Sequence, residues 1–242
     1  MALTPPDVRS PGGESKRSYV RDMFTAIAPR YDLLNHVLSL NIDRRWRRRA
    51  VRRLGWEAVP TGIYLDLCSG TLDLAAELAH QDGFAGRVVG ADFVVPMLEL
   101  GMGKAEGLRG VGADALELPF ADATFDGMTI GFGIRNLTDV DAGLAEMARV
   151  LTPGGRLVIL EFATPTAWPV RPLYRFYFRR VLPQIGRFVS KHTSAYSYLP
   201  ASVDDFPVPN ELARKMGDAG FRDVGQESLS LGVAWLHWGT RQ

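Results

Sequence analysis

The sequence predicts an α/β fold with a mostly parallel sheet covered by helices on both faces. Two observations carry this reading. Short apolar runs alternate with helix-length amphipathic stretches from Ile63 to Leu160, the pattern of strand–helix–strand units. The first apolar run also ends in a turn of small residues, Cys68-Ser69-Gly70-Thr71. At 242 residues the chain suffices for one such domain with an appendage, and is too short for two catalytic ones.

The elements follow in order. From Ser18 to about Leu54 apolar residues recur at helical spacing: Val20, Phe24 and Ile27, then Leu33, Leu34, Val37 and Leu38. Breaks fall at Pro29 and near Asn41. Ile63 to Leu67 reads as a buried strand, Leu74 to Ala79 as its helix, Arg87 to Asp92 as a second strand and Pro96 to Lys104 as a second helix. Phe125 to Ile130 is a further strand. Helix Val140 to Leu151, a turn at Pro153-Gly154-Gly155 and strand Arg156 to Glu161 come next. Residues 165–209 break the alternation with aromatics and arginines, and an insertion at this place suits substrate specificity. Helix Asn210 to Ala219, a strand near Val224 and the run Val233 to Trp238 end the chain, the last two able to close the sheet as a hairpin. Residues 1–17, polar and rich in Pro and Gly, read as a disordered tail before a single domain over 18–242.

Composition narrows the classes. No apolar run approaches the ~20 residues a membrane span needs, and the N-terminus lacks the core of a signal peptide, so a cytoplasmic protein is expected. One cysteine, Cys68, excludes an internal disulfide, and four scattered histidines give no zinc spacing, so no metal is expected. The net charge of +1 hides an asymmetry: the chain carries +7 through Arg53 and −6 beyond it. Most of the excess lies between Arg44 and Arg53. It reads first as the solvated face of a helix, because Trp46, Ala50, Val51 and Leu54 share the other face and leave the arginines outward. Peripheral contact with an anionic membrane is the second reading, and nucleic acid, not expected as a partner, the third.

In a doubly wound sheet, ligands bind beyond the carboxyl ends of the strands, where a small-residue turn lets backbone N–H groups approach. Asp66 and the turn that follows it fit that place. Asp92 ends the second strand, and its carboxylate can accept both hydroxyls of a ribose. Asp114, expected just before a third strand, can receive an adenine amino group. There is no G-x-G-x-x-G and no G-K-[ST] for phosphates.

Several segments go further. Met23 to Asn35 (MFTAIAPRYDLLN), Phe132 to Asp139 (FGIRNLTD), Arg149 to Phe162 (RVLTPGGRLVILEF), Ser194 to Leu199 (SAYSYL) and Leu236 to Gly239 (LHWG) together resemble the ubiquinone/menaquinone C-methyltransferase family from about Tyr19 to Arg241. The resemblance implies a class I methyltransferase fold whose seven-stranded sheet has its last strand antiparallel. It implies S-adenosylmethionine as cofactor, touched by Thr71, Asp92, Asp114, Ala115 and Gly131, with Asp66 and Gly70 in the same turn. Residues 18–60 would form a helical lid around Tyr31, and 165–209 a cap shaping the pocket of a prenylated quinol, demethylmenaquinol before a benzoquinol. Arg135 is expected to face the acceptor oxygen, Asn136 to orient it or a water, and Tyr31 or His192 to take a proton. If Arg135 is instead structural, Asp139 or Asp126 is its expected partner. The family usually carries Gly where this chain has Leu72, so Leu72 is expected to crowd the cofactor.

Overall fold

The computed structural model describes residues 14–32, 39, 41–177, 180, 184 and 194–242. Seven strands form one sheet: β1 (Ile63–Leu67), β2 (Arg87–Asp92), β3 (Arg109–Gly112), β4 (Phe125–Gly131), β5 (Leu151–Phe162), β6 (Phe221–Leu229) and β7 (Ala234–Arg241). Their spatial order is β3-β2-β1-β4-β5-β7-β6. The β1–β2, β1–β4, β2–β3 and β4–β5 pairs are parallel. β7 runs antiparallel to both β5 and β6.

Period-2 alternation divides two cores across this sheet. Leu65, Leu67, Met128, Ile130, Leu157 and Ile159 face one side, packed with Leu144 and Met147 of α5 (Val140–Val150) and with Leu212 and Met216 of α8 (Pro209–Asp218). Tyr64, Val88, Val158, Leu160 and Leu236 face the other. There they meet α2 (Ile42–Leu54), α3 (Asp73–Ala79) and α4 (Val95–Gly101). A smaller aromatic cluster joins α1 (Glu14–Ile27) to α6 (Val170–Phe176) and α7 (Ser194–Asp205) through Tyr19, Val20, Met23, Tyr174 and Tyr198.

Several boundaries differ from the expectations, each for a local reason. Helix α1 begins at Glu14, so residues 14–17 belong to it and not to a tail. Of the stretch 18–60, α1 and the short turn Ala28–Arg30 pack toward α4 and α7, whereas α2 covers the sheet at β4 and β5. Its Trp46, Ala50, Val51 and Leu54 are buried there, which makes α2 a layer helix and not part of a lid. Helix α5 ends at Val150, and β5 starts at Leu151; its register against β4 shifts between Phe125 and Gly127, which absorbs the expected Pro-Gly-Gly turn as a bulge. Asp114 follows β3 instead of preceding it.

Candidate active site

The cleft lies where the strand order reverses, beyond the carboxyl ends of β1, β2 and β4. It opens broadly to solvent, and its empty space, counted with the open mouth, is about 770 Å³. Tyr31, Cys68, Gly70, Gly131 and Phe132 line it throughout. Asp92, Asp114, Ala115 and Asn136 line its wider part; Asp66, Thr71 and Arg47 line a narrower extension.

The turn after β1 is held in left-handed backbone at Cys68 (φ 51°), Gly70 (φ 52°) and Leu72 (φ 64°). That winding aims the Gly70 N–H at Asp92, donating to Oδ2 at 2.8 Å, while the Val94 N–H donates to Oδ1 at 2.8 Å. Burial raises the Asp92 carboxyl above its ordinary range, partly offset by these two donors. Each oxygen keeps a lone pair for a further hydroxyl. Asp66 is fully enclosed, accepting from Thr129 Oγ1 at 2.8 Å and the Ala75 N–H at 3.1 Å. Burial drives its carboxyl up to about 7 despite these bonds.

Leu72 does not crowd the cleft. Its side chain is completely buried on the far side of the turn, where a Cβ at Gly90 or Gly101 would collide with it. Two glycines make room for the leucine, so the departure from Gly is absorbed by the core.

Side chains of α1 and Asp32 make contacts at both ends of the cleft. Lys16 Nζ of α1 donates to the carbonyls of Arg135 (3.2 Å) and Leu137 (2.7 Å). Arg17, one residue on, pairs with the Asp114 carboxylate. Thr71 Oγ1 donates to Asp32 at 2.5 Å, and Lys104 bridges Asp32 (2.7 Å) and Asp73 (2.5 Å). Burial alone would raise the Asp32 carboxyl, yet the bonds from Lys104 and Thr71 hold it below the usual range.

Arg47 was not among the residues expected here. It lies inward, 8% exposed, paired with Asp43 (2.5 Å) and Asp73 (3.0 Å) beside Thr71. Its neighbours are also partly engaged: Arg49 and Arg53 bind Glu227, and Arg53 covers the Trp238 ring at 4.0 Å. The outward-facing reading therefore fails for Arg47, because position 47 shares a face with Trp46, Ala50 and Leu54.

Arg135 is likewise turned away from the cleft, which it does not line. Its Nη1 meets Glu161 at 2.7 Å and the Phe132 carbonyl, and its Nε donates to Ser202 at 3.3 Å. Both partners of the ion pair are buried. Asp139 instead caps α5 through the Ala142 N–H, and Asp126 accepts from the Ile63 N–H, so neither expected carboxylate is its partner. Burial raises the Glu161 carboxyl, with the Arg135 charge opposing. Asn136 does reach the cleft, and its Oδ1 accepts from the Tyr198 hydroxyl at 3.1 Å. Tyr31 stands over Gly70, edge-on to Phe24. His192 lies outside the described residues.

This sheet order, with a carboxylate near the ends of β1 and β2 and a third just past β3, is that of the class I methyltransferase fold. Solved structures agree on the fold. A S-adenosylmethionine-dependent methyltransferase of Thermotoga maritima superposes with a TM-score of 0.65 at 19% identity, covering 91% of this chain and 99% of that one. The [4+2]-cyclase SpnF gives 0.66 at 14% identity, covering 92% and 94%. Its name is a reminder that this fold alone does not set the reaction.

The chain belongs to the ubiE/COQ5 methyltransferase family, whose pattern matches residues 13–241. It is 51% identical over 223 residues to a demethylmenaquinone methyltransferase of Thermus thermophilus, covering 90% of this chain and all of the relative. A demethylmenaquinone methyltransferase of Deinococcus radiodurans is 46% identical over 240 residues (97% and 98% covered). A ubiquinone/menaquinone biosynthesis C-methyltransferase of Geobacter sulfurreducens is 46% identical over 232 residues (93% and 90%). Family and fold together imply use of S-adenosylmethionine.

The donor set fits that cofactor. Asp92 can take a ribose diol, and Asp114 an exocyclic amine once Arg17 yields. Asp66 lines the narrower extension with Arg47 and Thr71, whose donors are engaged by Asp43, Asp73 and Asp32 and would have to turn to a ligand carboxylate.

Proposed function

We propose that this chain methylates a ring carbon of a prenylated quinol, demethylmenaquinol before its benzoquinol counterpart, with S-adenosylmethionine as methyl donor. The observation that carries the reading is the meeting, in one cleft, of Asp66, Asp92 and Asp114 with a wall of aromatic and amide groups, Tyr31, Phe132 and Asn136. The relatives' names support the acceptor class.

When bound, the cofactor supplies an electrophilic methyl on a sulfonium. The residues Asp92, Asp114, Ala115 and Gly131 would hold its nucleoside half, and Asp66, Gly70, Thr71 and Arg47 its amino-acid half. The ring carbon becomes nucleophilic as the quinol hydroxyl ionises. For a phenol titrating near ~10, ionisation at pH 7 costs about 4 kcal/mol. Alignment of the two reactants supplies much of the remaining acceleration. Tyr198 takes up the Asn136 carbonyl, which leaves the amide N–H₂ free to donate to the quinol oxygen. Arg135 then acts as a positioning residue: it ties the Phe132–Asn136 turn to Glu161 at the end of β5, behind the wall that Asn136 presents. Tyr31 and His192 are the groups proposed to receive the proton.

The test is direct. Labelled S-adenosylmethionine is incubated with reduced demethylmenaquinone, or with its benzoquinone counterpart, and label in the ring is measured. Transfer to the naphthoquinol at a higher kcat/KM is expected. No transfer to either acceptor would overturn the reading.

A further inference from the structure

Between Phe162 and Val203 the chain carries six basic residues and no acidic one. This stretch holds +6 in a protein whose net charge is +1, so the rest of the molecule is −5. It includes the helix α6, whose two sides differ sharply. Tyr174 is buried against Tyr19 and Tyr198, behind the Asn136 wall. On the other side Leu173 and Phe176, three apart on one face, are 69% and 60% exposed, and Trp168 just before the helix is 85% exposed. Arg171 and Arg175 form an exposed stripe beside them, with Arg180 exposed beyond, and among the described residues none of the three has an ion-pair partner.

We propose that Trp168, Leu173 and Phe176, flanked by Arg171, Arg175 and Arg180, dock this protein on an anionic lipid bilayer. Large apolar side chains held in water beside unpaired arginines are what an interfacial helix presents: the apolar groups enter the acyl boundary, the arginines meet lipid phosphates, and a tryptophan sits at the headgroup level. A nucleic acid suits the patch less well, because Leu173 offers no ring for a base to stack on. The arginine-rich helix α2 also suits a bilayer less well. Arg47, Arg49 and Arg53 are committed to carboxylates, and its exposed face carries little apolar surface beyond Ile42. The opposite face of α6 closes the aromatic cluster beside the cleft, so one short helix joins the lipid surface to the site of reaction.

The experiment needs lipid alone, so it can fail while the quinol reading stands, and the reverse. The full chain is sedimented with vesicles of phosphatidylglycerol and phosphatidylcholine mixed, or of phosphatidylcholine only. Binding at least tenfold tighter to the anionic vesicles is expected, weakening as salt rises. At about fivefold per surface-proximal arginine, Arg171→Glu/Arg175→Glu should lose 25-fold or more. Trp168→Ser/Leu173→Ser/Phe176→Ser should lose at least tenfold, while Arg44→Glu/Arg48→Glu on α2 should stay within about threefold of its parent. Melting temperature and S-adenosylmethionine affinity report whether each variant is folded. If the triple variant does not fold, Trp168→Gln, outside the helix, should still weaken binding at least threefold. Equal partitioning on both vesicle types, binding unaffected by the α6 substitutions, a loss confined to the α2 variant, or tight binding to single-stranded RNA without binding to vesicles would each overturn the proposal.

Discussion

Replacing Arg135 with alanine separates structural from chemical work in this site. The side chain is 8% exposed and Glu161, its partner at 2.7 Å, is 1% exposed. Without the guanidinium, the Glu161 carboxylate keeps the Phe162 N–H at 2.8 Å and a long contact from the Arg135 N–H at 3.4 Å. Removing one member of such a buried pair typically costs about 3–5 kcal/mol. For a chain of this size each kcal/mol moves the melting temperature by about 2–4 °C, so a fall of roughly 6–20 °C is expected at pH 7. The sign with pH follows from Glu161, whose carboxyl already stands above its ordinary value. An acid with a raised folded pKa destabilises as pH rises from its unfolded value toward its folded one. Loss of Arg135 pushes it higher still, so the deficit should shrink as pH is lowered toward 5. Adding Glu161→Gln removes the orphaned charge and should recover more than half of the lost stability. If Arg135 only positions the wall, turnover of the double variant should return to within about tenfold of the parent. If the guanidinium faces the acceptor, turnover should stay down by roughly 10²–10³. Calorimetric melting and single-turnover methylation read these quantities. A loss below about 1 kcal/mol in Arg135→Ala, or no recovery from Glu161→Gln, would refute the ion-pair argument.

Other substitutions probe the cofactor side. Asp92→Ala would remove the two proposed charge-assisted ribose contacts, roughly 1.5–3 kcal/mol each, and should weaken S-adenosylmethionine binding at least 100-fold by titration calorimetry. Leu72→Gly relieves left-handed strain of about 1–2 kcal/mol but empties a core position worth about 2–5 kcal/mol; stability should fall by up to ~4 kcal/mol while cofactor affinity stays within about threefold. Asp66, at about 7, is partly protonated at neutral pH. Below pH 7, cofactor binding should release a proton, seen as buffer-dependent binding enthalpy that vanishes in Asp66→Asn. The same raised pKa makes free-protein stability decline between about pH 4 and 7, a slope that Asp66→Asn should flatten.

The strand–helix alternation was legible because parallel strands buried on both faces read as short apolar runs, and Ile63–Leu67 and Arg87–Asp92 fall where that pattern puts them. Asp66, Gly70, Thr71 and Asp92 could be placed on the cleft because strand ends and the turn after β1 mark it locally, whereas Asn136 came from the family resemblance. Arg47 was hidden by its setting: one inward arginine in an arginine-rich helix carries no local mark, and only the position of Asp73 and Thr71 across the fold draws it in. Glu161 as partner of Arg135 was equally out of reach, since their pairing depends on the register of β5 beside β4. Leu72 misled because its left-handed backbone, which sends the side chain backward into the space left by Gly90 and Gly101, cannot be seen in a comparison of residue types.

Asp66 and Thr129 are hydrogen-bonded across 63 residues of chain, and Lys16 reaches the Leu137 carbonyl across 121. A site assembled from such distant segments does not survive in any fragment and does not exist in the unfolded chain. A ligand that needs it therefore binds the native state alone, and mass action turns occupancy into stability. At a hundred times its dissociation constant such a ligand adds about 2.7 kcal/mol, or roughly 5–11 °C in melting temperature. The folded fraction of the chain thereby rises with the supply of any such ligand, with no regulatory domain required.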